Sequence, residues 1–558
     1  MAHHSDPTLR VTTFGPVRGV DEQATTGTWA WKGLPFARPP VGALRWRAPV
    51  APLPWTGVRA ADRFAGASKQ TGRLYGPGAN NRCDATIGAT LGRPLGSEDS
   101  LYLNIWQPAA PAQVLRPVIV WVHGGSNICG YTADPVYDGA TLARTAGVVV
   151  VSIAYRLGIF GFLDLAPLKT GDPLDDSGNF ALLDIVLALQ FIQASIAAFG
   201  GDPQCVTLMG QSAGAVNVLA LLSSPIVCSL ARPLFHRVVP LSGGISTAGT
   251  LPDGAFPVVP ERSVLQARGH ALLHASLVAD GMAADEAAAR ALAATRGPLW
   301  LAAYLRSKPA DALLETVRMH LAPRGLASAH VVPDGWVVAA DPIAAIRAGQ
   351  YRKVPVLAGT TRDECKLFPG LLEQRPELGG TRGRILEDAE VFAIVHGYDP
   401  DGPTTTATAQ WIPARYLPVD APVTGFNTRC DRLNALWFHA LRDDVLDALA
   451  SRQAEVWSYR FDWRRLPAPF DDIFGAAHAF DLPFIFGNFG PSLYAGIAFT
   501  RANAPGRLAL SQAMIAGLAA FAHHGNPNHA ALGTHWPAWP GHMVFDATAD
   551  AAIVRATL

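Results

Sequence analysis

The sequence predicts an α/β fold built on a mostly parallel sheet, and three features in the first half of the chain carry that prediction. VIVWV at 118–122 and VVVVSIAY at 148–155 are continuous β-branched runs, the pattern of strands covered on both faces. From 179 to 199 apolar residues recur at helical spacing and stop at the pair Gly200 and Gly201, a helix-ending signal. CVTLM at 205–209 is a third strand, which leads through a glycine-rich turn into a second apolar helix, AVNVLALL at 215–222. Strand, helix, strand, helix in this order calls for parallel neighbours joined by right-handed crossovers.

Further along, residues 265–321 are rich in Ala, Arg and Leu with few β-branched side chains, and so read as helices, as do residues 386–450. VPVLAGTTRDE at 354–364 and VWSYRFDW at 456–463 read as returns to the sheet. Residues 1–558 are therefore expected to form one α/β domain with helical excursions at about 265–321 and 386–450 over one edge. No internal repeat, heptad pattern or low-complexity tract interrupts this reading.

Composition excludes several classes of function. Of 558 residues 49% are apolar and 16% charged, with 45 basic against 45 acidic side chains. A disordered tail would be less apolar, and a nucleic-acid binder would carry a net positive field for phosphates. The six cysteines form no CxxC pair and are too sparse for a disulfide scaffold, so no zinc cluster is expected. The most apolar stretch, 147–166, holds Arg156 and Asp164 near what would be mid-membrane, where each charge costs several kcal/mol. No membrane or nucleic-acid partner is expected. The opening MAHHSDPTLR shows no basic segment followed by an apolar one, and a cytoplasmic location is the expectation.

The chemistry starts where the third strand ends. Gly210, Gln211, Ser212, Ala213 and Gly214 make a GxSxG pentapeptide between a strand and a helix, a setting that holds a serine strained and exposed above the sheet. The letters alone are weak evidence; their placement points to a nucleophile. A serine nucleophile needs backbone N–H groups preset for the developing oxyanion. His123, Gly124, Gly125 and Ser126 follow the VIVWV strand directly, and glycines there let an N–H point into a site with no side chain in the way.

Several further stretches resemble the type B carboxylesterase and cholinesterase family of α/β-hydrolases, closest in pattern to its bacterial p-nitrobenzyl-esterase-like members. In order they are WKGLPFARPPVGALRWRAP, SEDSLYLNIW, WVHGGS, AYRLGIFGFL, FGGDP, GQSAGA, FHRVVPLSGG, AGTTRDE, GAAHAFDLPFIFGN and FAHHGNPN, and they span nearly the whole chain. The resemblance implies an α/β-hydrolase fold whose helical insertions wall an active-site gorge. It also implies ester hydrolysis by a Ser, acid, His triad through an acyl-enzyme, without metal or organic cofactor. The implied residues are Ser212 as nucleophile, Glu364 as acid and His478 as base, with oxyanion donors at Gly125, Ser126 and Ala213.

Without that pattern the residues leave Asp363 and Glu364 equivalent, the other of the two being expected at the surface, and leave His396, His523 and His524 as competing bases. Arg45 and Glu98 resemble a structural ion pair of the family. The expected substrate is a small or medium carboxylic ester, handled by a monomer or homodimer. Carbamates, amides and polyester fragments are alternatives at the same triad, and a silent binding relative would have lost one of its members.

Departures from the family carry expectations of their own. Ser68 and Ser100 stand where many members place a disulfide, which fits a reducing compartment. The loop between them holds no tryptophan and only Tyr75 as an aromatic, and Gln211 replaces the glutamate common before the nucleophile. Both changes reduce attraction for a cation, so choline esters are expected to be poor substrates. Ser126 and Asn127 replace a small residue and an aromatic beside the oxyanion hole, which predicts a more polar acyl pocket unless Trp300 or Phe392 supplies the ring. Ile185 and Ser195 also depart from the family, with no functional reading.

Overall fold

The strand Arg116–Val122 shows how the core is divided, because its side chains alternate between two hydrophobic clusters. Ile119 and Trp121 enter one, Val118, Val120 and Val122 the other. A strand buried on both faces must lie inside a sheet sandwiched by helices, and each such fully buried Val or Ile stabilises the fold by about 1.5–3 kcal/mol. The computed structural model describes residues 6–373, 387–396, 398, 411–412 and 414–558.

Among the described residues the main sheet has eleven strands. They are β1 Val20–Glu22, β2 Thr28–Pro35, β3 Tyr102–Pro108, β4 Arg116–Val122, β5 Val149–Ile153, β6 Gly201–Gln211, β7 Arg237–Leu241, β8 Val356–Thr361, β9 Val456–Phe461, β10 His542–Ala547 and β11 Ala552–Thr557. Their order is β11-β10-β9-β8-β7-β6-β4-β5-β3-β2-β1. Neighbours from β5 through β10 pair in parallel, and the outer pairs at both edges are antiparallel. The chain steps from β4 to β5 on one side, then returns to lay β6 on the other side of β4. That reversal opens a crevice beyond the carboxyl ends of β4 and β6, where α/β sheets bind ligands.

Helices α1 Phe180–Ser195 and α2 Ala213–Leu222 cover one face, sharing a cluster with Val118 and Val120. The segment Phe180–Phe199 is long and apolar enough to cross a bilayer, but 72% of its most apolar window is buried inside the protein. A helix apolar on all sides is what such a position requires. The segment ends at Gly200, whose φ of +74° is open to glycine at no steric cost.

The first excursion contains α3 Arg262–Ala279, α4 Glu286–Thr295, α5 Pro298–Ser307 and α6 Ala310–Thr316 around a separate apolar cluster. Arg45 clamps it to the sheet side, pairing in bidentate fashion with Glu98 at 2.6 Å and donating to the Lys308 carbonyl at 2.7 Å. The second excursion contains α7 Asp388–His396, α8 Phe426–Asn434 and α9 Ala440–Ala450. The rest of that expectation, at residues 386, 397, 399–410 and 413, lies outside the described residues, as do residues 1–5 of the opening stretch. The last long helix, α10 Ala504–His524, covers the opposite face through Leu510, Met514 and Phe521.

Ser68 and Ser100 lie together as a hydroxyl pair, Oγ to Oγ 2.9 Å, and Ser68 also bonds the Tyr155 carbonyl at 2.8 Å. All six cysteines are free. Ile185 is core, and Ser195 accepts from the Thr13 N–H at 3.4 Å.

Candidate active site

Ser212 stands between β6 and α2 with φ +57° and ψ −124°, a conformation that lifts its side chain out of the strand line. Two glycines make this turn possible. A Cβ on Gly210 would meet the Gly214 carbonyl oxygen at 2.5 Å, and one on Gly214 would meet the Val122 carbonyl oxygen at 2.2 Å. The Ser212 N–H is tied to the Leu241 carbonyl at 2.8 Å, fixing the turn to β7. Strain held at one residue by surrounding structure marks a functional position.

Across the crevice, the loop after β4 is wound through residues of positive φ. Gly125 has φ +94°, Ser126 +55° and Asn127 +59°. The N–H groups of Ile128 and Cys129 both turn back to the Gly125 carbonyl, at 3.0 and 3.1 Å. Among the described residues, no protein acceptor takes the N–H of Gly125, Ser126 or Ala213. Three unspent donors beside one serine are the makings of an oxyanion hole. His123 braces the loop from behind, its ring stacked on Tyr155 at 4.6 Å and its carbonyl accepting the Tyr155 hydroxyl at 2.7 Å. Burial pushes the His123 imidazole down to about 4, so it stays neutral there.

Glu364 follows β8 and is fully buried. One carboxylate oxygen accepts the Thr361 N–H at 2.7 Å, and the other lies 2.5 Å from His478 Nδ1. With Nδ1–H directed at the carboxylate, His478 Nε2 carries a lone pair toward the cavity. Gln211 Nε2 lies 2.9 Å from it and serves as the donor. Ser212 Oγ makes no hydrogen bond among the described residues, so the resting imidazole is held by the neighbouring amide. Catalytic contacts of this kind commonly tighten only when substrate binds. Phe368 and Phe438 pack on the imidazole at 5.1 and 4.9 Å, keeping it in place from the apolar side.

The acid beside Glu364 is not at the surface. Asp363 is buried and accepts the Ala476 N–H at 2.9 Å, which anchors the loop that carries His478. Of the competing histidines, His396 stacks on Phe392 at 5.0 Å and His523 bonds the Ala146 carbonyl at 3.0 Å. None of His396, His523 and His524 lines the cavity.

Ser212, Gly125, Ser126, Gln211 and His478 line one cavity with Phe368, Phe480 and Phe499. Its wall comes mainly from residues 74–83, 124–137, 367–368 and 479–499, so among the described residues neither excursion supplies a lining residue. Phe438, in the second, reaches the site only as the packing behind His478. The expectation of a polar acyl pocket needs correction. Asn127 is turned inward, where its Oδ1 accepts from Asn217 Nδ2 at 2.9 Å, and it does not line the cavity. Trp300 stacks on Tyr304 and Phe392 on His396, so neither supplies the ring. The expectation of weak attraction for cations also rested on too few residues. The cavity adds Tyr131, Tyr137, Tyr494 and Asp134 to Tyr75, none of them marked by a motif.

Residues 5–548 match the family model described as the carboxylesterase family. The chain belongs to the carboxylesterase family. It is 32% identical over 544 residues to the fumonisin B1 esterase of Sphingopyxis macrogoltabida, covering 96% of this chain and 85% of that one. It is 31% identical over 537 residues to the para-nitrobenzyl esterase of Bacillus subtilis strain 168, covering 95% and 92%. Among solved structures, a Geobacillus stearothermophilus carboxylesterase superposes with a TM-score of 0.70 at 30% identity, covering 98% of each chain. The protein is a carboxylesterase with an α/β-hydrolase fold, a serine hydrolase of carboxylic esters.

Proposed function

We propose that this carboxylesterase cleaves small to medium esters at Ser212, with His478 as base, Glu364 as its orienting acid, and Gly125, Ser126 and Ala213 as oxyanion donors. The observation that carries the reading is the buried Glu364–His478 pair opening onto the cavity that Ser212 shares. As substrate enters, His478 Nε2 exchanges the Gln211 amide for the serine hydroxyl and takes its proton during attack on the carbonyl. Glu364 holds the imidazole tautomer and stabilises the cation that forms. The tetrahedral oxyanion rests on the three free N–H groups, the imidazolium protonates the departing alcohol, and water activated by the same imidazole releases the acid.

Leu74, Val136, Leu367, Leu482 and the three phenylalanines give much of the lining an apolar surface on which the hydrocarbon parts of an ester can pack. Six free cysteines and the Ser68–Ser100 hydroxyl pair support action in a reducing, cytoplasmic setting. One chain supplies every proposed catalytic group, which suits a monomer or a homodimer. The test is hydrolysis of p-nitrophenyl esters from acetate to decanoate by the native protein and by Ser212→Ala. Activity is expected in the native protein and a loss of at least about 10⁴-fold in the variant. A variant that keeps its activity would overturn the assignment of Ser212.

A further inference from the structure

Among the described residues, Asp134 is the only acidic side chain that lines the cavity. Half of its carboxyl is already engaged, since Oδ1 accepts the Val136 N–H at 2.9 Å and caps the short turn Pro135–Tyr137. The Tyr137 hydroxyl is the other donor acting on the carboxylate, which has further lone pairs to offer. The residue is partly accessible, and the space it opens onto is the substrate cavity. The groups acting on the carboxyl are its own burial, the Val136 N–H and the Tyr137 hydroxyl, with no lysine, arginine or histidine among them. A carboxylate withdrawn from water without a cation is costly, and a ligand that brings one relieves the cost.

The surroundings fit a cation as well. Tyr131 and Tyr137 flank Asp134 in sequence and line the same cavity, as do Tyr75 and Tyr494, whose hydroxyls bond each other at 2.7 Å. Electron-rich ring faces attract ammonium groups, while a carboxylate selects those that still carry N–H donors. Burial raises the Asp134 carboxyl to about 6, so it is ionised in a mildly alkaline assay.

We propose that Asp134 is a specificity residue that binds a protonated primary or secondary amine on the substrate, so that the favoured esters are amino-esters rather than simple alkyl esters. The proposal rests on the esterase reading above and adds the substrate class. Ser212 and the oxyanion loop engage the ester group, while Asp134, Tyr131 and Tyr137 engage the ammonium at another part of the same cavity.

The experiment compares matched esters that differ only by an ammonium in place of a methyl group, on each side of the ester bond. On the acyl side these are methyl 6-aminohexanoate and methyl heptanoate; on the alcohol side, 6-aminohexyl acetate and heptyl acetate. Each is followed by pH-stat near pH 8 with the native protein and with Asp134→Asn, which retains the shape and the capping oxygen. In the native protein at least one ammonium ester is expected to exceed its neutral partner about tenfold or more in kcat/KM, and that ratio is expected to fall about tenfold in the variant. A native ratio at or below one for both pairs, or a ratio that Asp134→Asn leaves intact, would overturn the proposal. A second measurement needs no variant: hexylammonium is expected to inhibit hydrolysis of heptyl acetate with a Ki about tenfold below that of hexan-1-ol, and equal or weaker inhibition also overturns it. Failure to turn over any of these esters, charged or neutral, and p-nitrophenyl acetate as well, would defeat the esterase reading itself; turnover of neutral esters without ammonium preference defeats only the role of Asp134.

Discussion

Gly125 is where a single added methyl group would be felt most directly by the chemistry. Its φ is +94°, and a Cβ there would stand 2.2 Å from the Cys129 carbonyl oxygen, so Gly125→Ala must turn an oxyanion N–H away from its aim. The expected result is a fall of about 10²-fold or more in kcat, measured on protein whose near-ultraviolet circular dichroism is native. The nucleophile was legible at this scale because its glycines mark a strand-to-helix turn, and the carbonyls of Gly214 and Val122 explain why nothing larger fits. Asn127 was not legible: its partner Asn217 lies within α2, in a helix whose sequence gives no sign of a cross-contact. The burial of Asp363 was hidden for a similar reason, since two adjacent carboxylates do not disclose which main-chain N–H each will meet.

At the scale of elements, distant loops are fastened by charge. Arg156 pairs in bidentate fashion with Asp184 at 2.7 and 2.9 Å, joining the segment after β5 to α1 with both side chains buried. The Arg45–Glu98 clamp joins the loop before β3 to the end of α5. Removing one partner strands the other charge, and Glu98→Ala is expected to lower stability by about 3 kcal/mol, read from the midpoint of urea unfolding. A loss below about 0.5 kcal/mol would mean that water replaces the carboxylate freely. The strands and helices of the first half were legible from uninterrupted β-branched runs and glycine stops. The cavity wall was not, because it is assembled from short loop pieces far apart in sequence that carry no periodic pattern.

For the whole molecule, buried titratable groups set the response to acid. Burial lowers His123 and His439 from 6.5 to about 4 and raises Asp134 and Asp481 from 3.8 to about 6. A histidine depressed on folding contributes stability that is complete above 6.5 and is lost as pH falls toward 4, since only the unfolded chain takes the proton. The two aspartates act in the opposite sense, their contribution being present below 3.8 and lost as pH rises through about 6. His439, whose buried Nε2 has no hydrogen-bond partner among the described residues, is the side chain to replace. Between pH 7 and 5 His439→Gln is expected to lose less stability than the native protein, by about 1–2 kcal/mol in urea unfolding followed across pH. Parallel losses in the two proteins would show that this histidine does not govern the acid limb.

The measurement that bears most directly on the central claim is covalent capture of the nucleophile. The protein is treated with a fluorophosphonate, which mimics the tetrahedral intermediate and phosphonylates a serine only where a base and an oxyanion hole serve it. Peptide mapping by mass spectrometry is expected to find one phosphonyl group per chain, on Ser212, with ester hydrolysis lost in proportion to labelling. Labelling of a different residue in step with lost activity, or full activity loss with Ser212 unmodified, would contradict the account.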